Sequence, residues 1–240
     1  MSQSVLDKEL ILAKVQSKGG KGFYILIAVV VVAGGLLLMN ARRGADEVPD
    51  LAPVALAGGS VAADMSSGTA IGADDAPAVI MEFSDYLCPH CRTFNAMSSK
   101  LLRQNYSGTG SLKWISFDFP LWPESWAPAI AAQCAKRQGK YYEMKDLLFA
   151  RVDSWSQDRN PNGKFADYAR DLGLDADAFE SCVDKQETLA EVQATKAYGE
   201  SLGISSTPSI FFNGEPLGIP GDYGYGLIEE QIKLASAGGE

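Results

Sequence analysis

A chain of 240 residues with 46% hydrophobic content can form one large domain, or one domain with appendages. Its formal net charge of −9, with no basic cluster beyond the N-terminal region, excludes a nucleic-acid groove. The acidity itself serves solubility and carries no functional weight.

Residues 1–22 carry Lys8, Lys14, Lys18 and Lys21 and a short helical pattern, and read as a cytoplasmic tail. Phe23 to Met39 is an unbroken apolar run of 17 residues, at the short end of the transmembrane range. Four lysines before it, against Arg42 and Arg43 after it, place the N-terminus in the cytoplasm. A cleaved signal peptide is the competing reading. The Ala55-Leu56-Ala57 signal lies well beyond the run, however, and the run exceeds a typical signal core, so a transmembrane anchor is expected. Under both readings the rest of the chain is extracytoplasmic (periplasmic, with the anchor in the cell membrane), where disulfides persist. Residues 40–70 are rich in Ala, Gly, Ser and Asp without aromatics, and read as a flexible linker.

The folded domain is expected over 71–240. Val79–Phe83 is a buried-strand candidate, and Cys88-Pro89-His90-Cys91 follows it at once. Pro89 suits the first position of a helix, since its missing N–H is unpaired there anyway. Phe94, Met97 and Leu101 recur at i, i+3 and i+7, which predicts an amphipathic helix from Pro89 to about Tyr106 with these residues as its apolar stripe. Cys88 then falls at the N-cap, where unpaired N–H groups and the helix dipole favour a thiolate. His90, the one histidine in the chain, lies between the thiols; a protonated imidazole there would lower the Cys88 pKa further. A depressed pKa stabilises the dithiol and makes the disulfide a stronger oxidant. A structural disulfide, a metal half-site or two idle thiols are the bland readings of a C-x-x-C, and the strand-before, helix-after context counts against them.

Leu112–Phe119 alternates as a strand with Ile115, Phe117 and Phe119 on one face, completing a β-α-β unit. Helical periods follow over 127–138, 140–151, 164–172, 176–183 and 187–202, a helical insertion of about 121–205. Ser209–Asn213 reads as a strand, Asn213-Gly214 as a hairpin turn into Glu215–Ile219, and residues 223–235 as a closing helix. Trp122 and Trp126 flank the start of the insertion, where they pack in the core or line a groove. Glu82 is the one charge in an apolar strand. It is either a proton acceptor for the buried thiol, with a pKa raised by burial, or an outward-facing residue. Cys134 and Cys182 sit on two insertion helices, and in an oxidising compartment two leftover cysteines most simply pair; buried free thiols or a second redox pair are the alternatives.

This order resembles an α/β thioredoxin fold with a helical insertion, and three places resemble the DsbA-like thiol:disulfide oxidoreductases. They are Glu82 followed by Cys88-Pro89-His90-Cys91, Gln133-Cys134-Ala135 leading to Gln138-Gly139-Lys140-Tyr141-Tyr142, and Gly203-Ile204-Ser205-Ser206-Thr207-Pro208-Ser209. The resemblance implies a nucleophilic Cys88, a more buried Cys91, and a cis Pro208 that with Thr207 positions an extended substrate against the disulfide. It implies no cofactor and no metal. The implied partners are reduced secreted proteins and a membrane reoxidase. Thr207 departs from the best-known oxidants of the family and also occurs in disulfide isomerases and anchored members. A reductase or isomerase on this scaffold, or a metal module using the thiols and His90, are the rival functions; zinc would want four ligands where the sequence groups three.

Overall fold

The computed structural model describes residues 64–218 and 224–237. The expected cytoplasmic tail and the apolar run 23–39 lie outside these, and among the described residues no helix is long and apolar enough to cross a membrane. The described fold includes residues that the sequence assigns to the linker. Asp64 caps a short 3-10 turn at Met65–Ser67, and β1 (Thr69–Ile71) follows as an outer strand, antiparallel to the strand Leu112–Asp118. Three residues carry too little pattern to announce a strand, so the expected linker 40–70 is corrected at its C-terminal end: 64–70 belong to the fold.

The sheet runs β1-β3-β2-β4-β5, with β2 (Ala78–Ser84), β3 (Leu112–Asp118), β4 (Ser209–Phe212) and β5 (Glu215–Leu217). β2 and β3 are parallel and the other pairings antiparallel. Helix α1 crosses between β2 and β3 in three pieces: Pro89–Phe94, a π turn at Asn95–Ser99, and Lys100–Tyr106. The insertion comprises α2 (Trp126–Lys136), α3 (Tyr141–Ala150), α4 (Val152–Trp155), α5 (Asn162–Asp171), α6 (Ala176–Asp184) and α7 (Leu189–Ser201), and α8 (Tyr225–Ala237) closes the order. The hairpin between β4 and β5 turns on Asn213 (φ 49°) and Gly214 (φ 88°), the two positive φ values that a tight hairpin of this hand requires.

Alternation along β2 and β3 sorts the core into two. Ala78, Ile80, Leu112 and Trp114 face the larger cluster with Phe94, the insertion and Ile228 and Ile232 of α8. Met81, Phe83, Ile115 and Phe117 face the smaller one, joined by Phe119 and Ile204 and packed against Tyr198 of α7. Phe83 and Phe117 stack there at 4.4 Å.

The expected apolar stripe of α1 is only partly correct. Phe94 is buried, but Met97 is 51% and Leu101 42% exposed. The π turn inserts one residue and so rotates everything after it by ~100° relative to a plain helix. Leu102, at i+8 from Phe94, takes the place that Leu101 would have held, and Asn95, Ser98 and Ser99 turn inward. The sulfur end of the helix keeps its expected register.

Candidate active site

Cys88 is the N-cap of α1 and Pro89 its first residue, at the end of the sheet where β2 gives way to a turn. The Cys88 Sγ accepts from the Cys91 N–H at 3.4 Å, and its thiol donates to the Thr207 carbonyl at 3.3 Å. Cys88 and Cys91 are both thiols here, and both are buried, Cys91 completely. The Thr207–Pro208 peptide is cis.

The two sulfurs ionise very differently. The Cys91 thiol hydrogen-bonds the Cys88 sulfur and brings its pKa down to about 5; burial opposes this, and the Thr207 hydroxyl and the backbone N–H groups of Cys91 and His90 add to the lowering. Cys91 goes the other way. Burial pushes its thiol well above its ordinary value, and the Cys88 sulfur adds to the push both as a hydrogen-bond partner and as a charge. His90 thus contributes its backbone amide, while its side chain lies on the exposed side of the turn.

Glu82 is fully buried, so the outward-facing alternative fails. Its expected elevated pKa fails as well. Burial pushes the carboxyl up, but the Lys145 ammonium at 2.8 Å, helped by Arg103 and the Trp114 indole, holds it below the ordinary carboxylate value. Ser99, Trp114 Nε1 and Ser116 all donate to the same Oε2, at 3.1, 2.9 and 3.2 Å. The sequence missed the cation because Lys145 comes from α3, 63 residues away. A signal was present in Tyr141, Met144, Lys145 and Leu148, whose i, i+3, i+4, i+7 spacing puts the lysine on the buried face.

The buried carboxyls that are pushed up are two others, which the sequence did not single out. Asp85 joins the active-site turn to the start of the insertion: Leu87 N–H and Ser125 Oγ donate to its Oδ1 at 2.7 and 2.8 Å, and Leu121 N–H to its Oδ2 at 2.6 Å. Its carbonyl accepts from Cys88 N–H at 3.2 Å, and burial outweighs the donors and raises its pKa. Asp118, at the end of β3, accepts from Tyr86, Tyr141 and Gln133 at 3.1, 2.8 and 2.6 Å, and burial raises its pKa also. An Asp directly after an apolar strand and before the C-x-x-C was the available clue to Asp85.

Cys134 of α2 and Cys182 of α6 form a disulfide, with Cα atoms 6.0 Å apart. It lies within the insertion, and both sulfurs are buried. Trp114 and Trp155 are core residues, Trp126 is half-buried, and Trp122 stands 44% exposed beside Leu121. Since Leu121 is bonded to Asp85, this apolar lip lies beside the active-site turn. Among the described residues no three His, Cys, Asp or Glu side chains converge to hold a metal ion.

A helix that begins on a C-x-x-C, seated on a parallel β-α-β unit with a cis-proline loop against the first sulfur, defines a thioredoxin-like site. Residues 65–223 match the thioredoxin family, and the chain belongs to it. Its fold, helical insertion included, is that of the DsbA-type proteins. BdbD of Bacillus subtilis in its oxidised form superposes with a TM-score of 0.60 at 20% identity, over 72% of this chain and 94% of that one. The alpha-DsbA1 protein of Wolbachia pipientis gives 0.60 at 22% identity and the same coverage. Among curated proteins, the chain is 22% identical over 169 residues to disulfide bond formation protein D of Bacillus subtilis (strain 168), 68% of this chain and 76% of that protein. It is 33% identical over 152 residues to Na(+)/H(+) antiporter NhaA 1 of Mycobacterium sp. (strain KMS), but spans only 23% of that protein's length.

Proposed function

We propose that this chain is an extracytoplasmic, membrane-anchored thiol:disulfide oxidoreductase that passes its Cys88–Cys91 disulfide to folding secreted proteins. The observation that carries the reading is the split between the two sulfurs: about 5 for Cys88, and well above the ordinary value for Cys91. A substrate thiolate attacks Cys88, the Cys88–Cys91 bond breaks, and Cys91 departs as a thiolate that takes up a proton because its pKa is high. A second substrate thiolate then attacks the substrate sulfur of the mixed disulfide, and Cys88 leaves with the electron pair. Two substrate thiols have become a disulfide, and the protein holds a dithiol in which Cys88 stays ionised at neutral pH.

Thr207 and Pro208 would carry the substrate's backbone past Cys88, and a protonated His90 imidazole would further favour the thiolate. The Cys134–Cys182 bridge serves structure. The apolar run 23–39 supports anchoring, and a membrane reoxidase would regenerate the disulfide. The related disulfide bond formation protein supports the same reading. Thr207 favours a second one, disulfide reduction or isomerisation on this scaffold.

Titrating the full chain against glutathione decides between them, with Cys88→Ser identifying the pair being read. A potential above roughly −200 mV supports the oxidase, and one below about −270 mV supports a reductase. A pair that does not titrate would sink both.

A further inference from the structure

A cleft lined by β1, α1, the end of α2 and α3 has a volume of about 580 Å³, within the range of roughly 300–1,000 Å³ that small-molecule sites occupy. Lys136, the last residue of α2, lines it half-buried, and its Nζ donates to the Gly68 carbonyl at 3.4 Å. Among the described residues no carboxylate pairs with this ammonium. That is unusual, since a lysine drawn out of water is normally matched by an acid. Burial lowers its pKa, and Asp118 and Glu191 counter that only through space.

The other charges on the wall are already matched. Arg103 of α1 binds Asp146 of α3 at 2.7 Å, and the exposed Glu143 binds Lys140 at 2.8 Å. The lining therefore keeps one unbalanced positive charge. Arg103 still has donors left: its Nη2 serves Asp146 and Asn95 and its Nε serves Ser99, which leaves the N–H groups of Nη1. Thr69 of β1 adds a hydroxyl. The residue is only 7% exposed, and its Oγ1 is buried without a hydrogen-bond partner. Around these donors the wall is apolar or aromatic, with Ile71 on β1 and the Tyr142 ring, over which the Arg103 guanidinium lies at 4.4 Å.

We propose that this cleft binds a small organic monocarboxylate, its oxygens received by Lys136 Nζ, Arg103 Nη1 and the Thr69 hydroxyl, and its apolar body held against Ile71 and Tyr142. A carboxylate supplies what the wall lacks: one negative charge for the ammonium, and acceptor lone pairs for donors that have none. Inorganic phosphate is a poorer match, because it has no body to cover the apolar part of the wall. A neutral molecule of the same shape leaves the ammonium as it was.

The test is thermal unfolding of the full chain in rising sodium benzoate. Benzamide, which has the same ring without the charge, inorganic phosphate, and sodium chloride at matched ionic strength are run beside it. Benzoate should raise the melting temperature saturably, as a ligand of the folded state does, and the other three should not. Lys136→Met should weaken benzoate binding at least about tenfold, the usual worth of a hydrogen bond to a charged group. Ala70→Trp, on the exposed part of the lining, fills the cleft while keeping every charge, and should abolish binding. It decides the matter if Lys136→Met does not fold. Both variants should keep the glutathione equilibrium of Cys88–Cys91, which shows that the fold is intact. A wild type with no saturable benzoate shift would overturn the proposal. So would benzamide or phosphate stabilising as well as benzoate, or an Ala70→Trp protein that binds benzoate unchanged.

Discussion

At the scale of single residues, the chemistry comes from treating two identical side chains differently. Cys88 sits where a helix begins, with N–H groups and the Cys91 thiol directed at its sulfur, while Cys91 is one turn deeper with nowhere to place a charge. In the reduced protein, thiolate absorbance and alkylation at Cys88 should therefore persist down to about pH 5, and a single titration near pH 9 would refute the arrangement. Cys91→Ala keeps Cys88 as a nucleophile, though with its pKa raised by loss of the Cys91 hydrogen bond, and with a disulfide-bearing peptide it should accumulate a mixed disulfide as one peptide thiol is released, visible on non-reducing gels; Cys88→Ser should form none. The exposed Arg92–Asp153 pair is a contrast, bidentate at 2.8 and 3.1 Å but open to water on both sides, so little stability rests on it.

At the scale of elements, close contacts hold the active-site scaffold. Gly199 of α7 faces the smaller core so closely that an added Cβ would lie 2.7 Å from Phe119 and 3.0 Å from Phe83. Gly199→Ala should lower the urea midpoint without changing the slope, because an overpacking cost of about 1–3 kcal/mol exceeds the gain of under about 1 kcal/mol in helix propensity. An unchanged or higher midpoint would mean that α7 simply moves away. The disulfide between α2 and α6 spans 48 residues, and closing such a loop removes unfolded-state entropy worth about 4 kcal/mol in the chain model. A Cys134→Ala/Cys182→Ala protein should lose stability of that order while the Cys88–Cys91 potential stays put. A moved potential would make the bridge part of the redox centre.

For the whole molecule, redox state and stability are linked through Cys88. The folded pKa is depressed to about 5 from an unfolded value of 9.0. Stability from this group is therefore fully present above about pH 9 and is lost as pH falls through about 5. The oxidised protein has no such group. The melting temperature of the reduced form minus that of the oxidised form should accordingly rise between pH 5 and 9, and calorimetry of both forms measures it. Subtraction also cancels Asp85 and Asp118, whose raised pKa values act in the opposite sense in either form as long as their surroundings do not change. A flat difference would refute the link. Ionisation of Cys88 thus shifts the balance progressively toward the reduced form as pH rises, in the direction that makes a disulfide more oxidising.

Local pattern was enough for much of this. A short apolar run placed β2, alternation placed β3, helical periodicity placed the insertion, Asn213-Gly214 placed the hairpin, and Pro89 after Cys88 placed the N-cap, because each depends on a few adjacent residues and on backbone geometry. What tertiary structure alone decided was the charge of the buried carboxyls. Glu82 looked like a carboxyl raised by burial and is instead held down by Lys145, because a counter-ion 63 residues away in sequence is invisible to a local reading. The π turn in α1 exposed Met97 and Leu101, and brought Ser99 to Glu82, for the same kind of reason. One extra residue in a helical turn has no marker in composition, and it is selected by what the far side of the helix has to meet. Spacing along the chain determined where the sulfurs stand and that Cys88, at the N-cap, is the one to ionise; packing across it determined which buried carboxyl meets a cation.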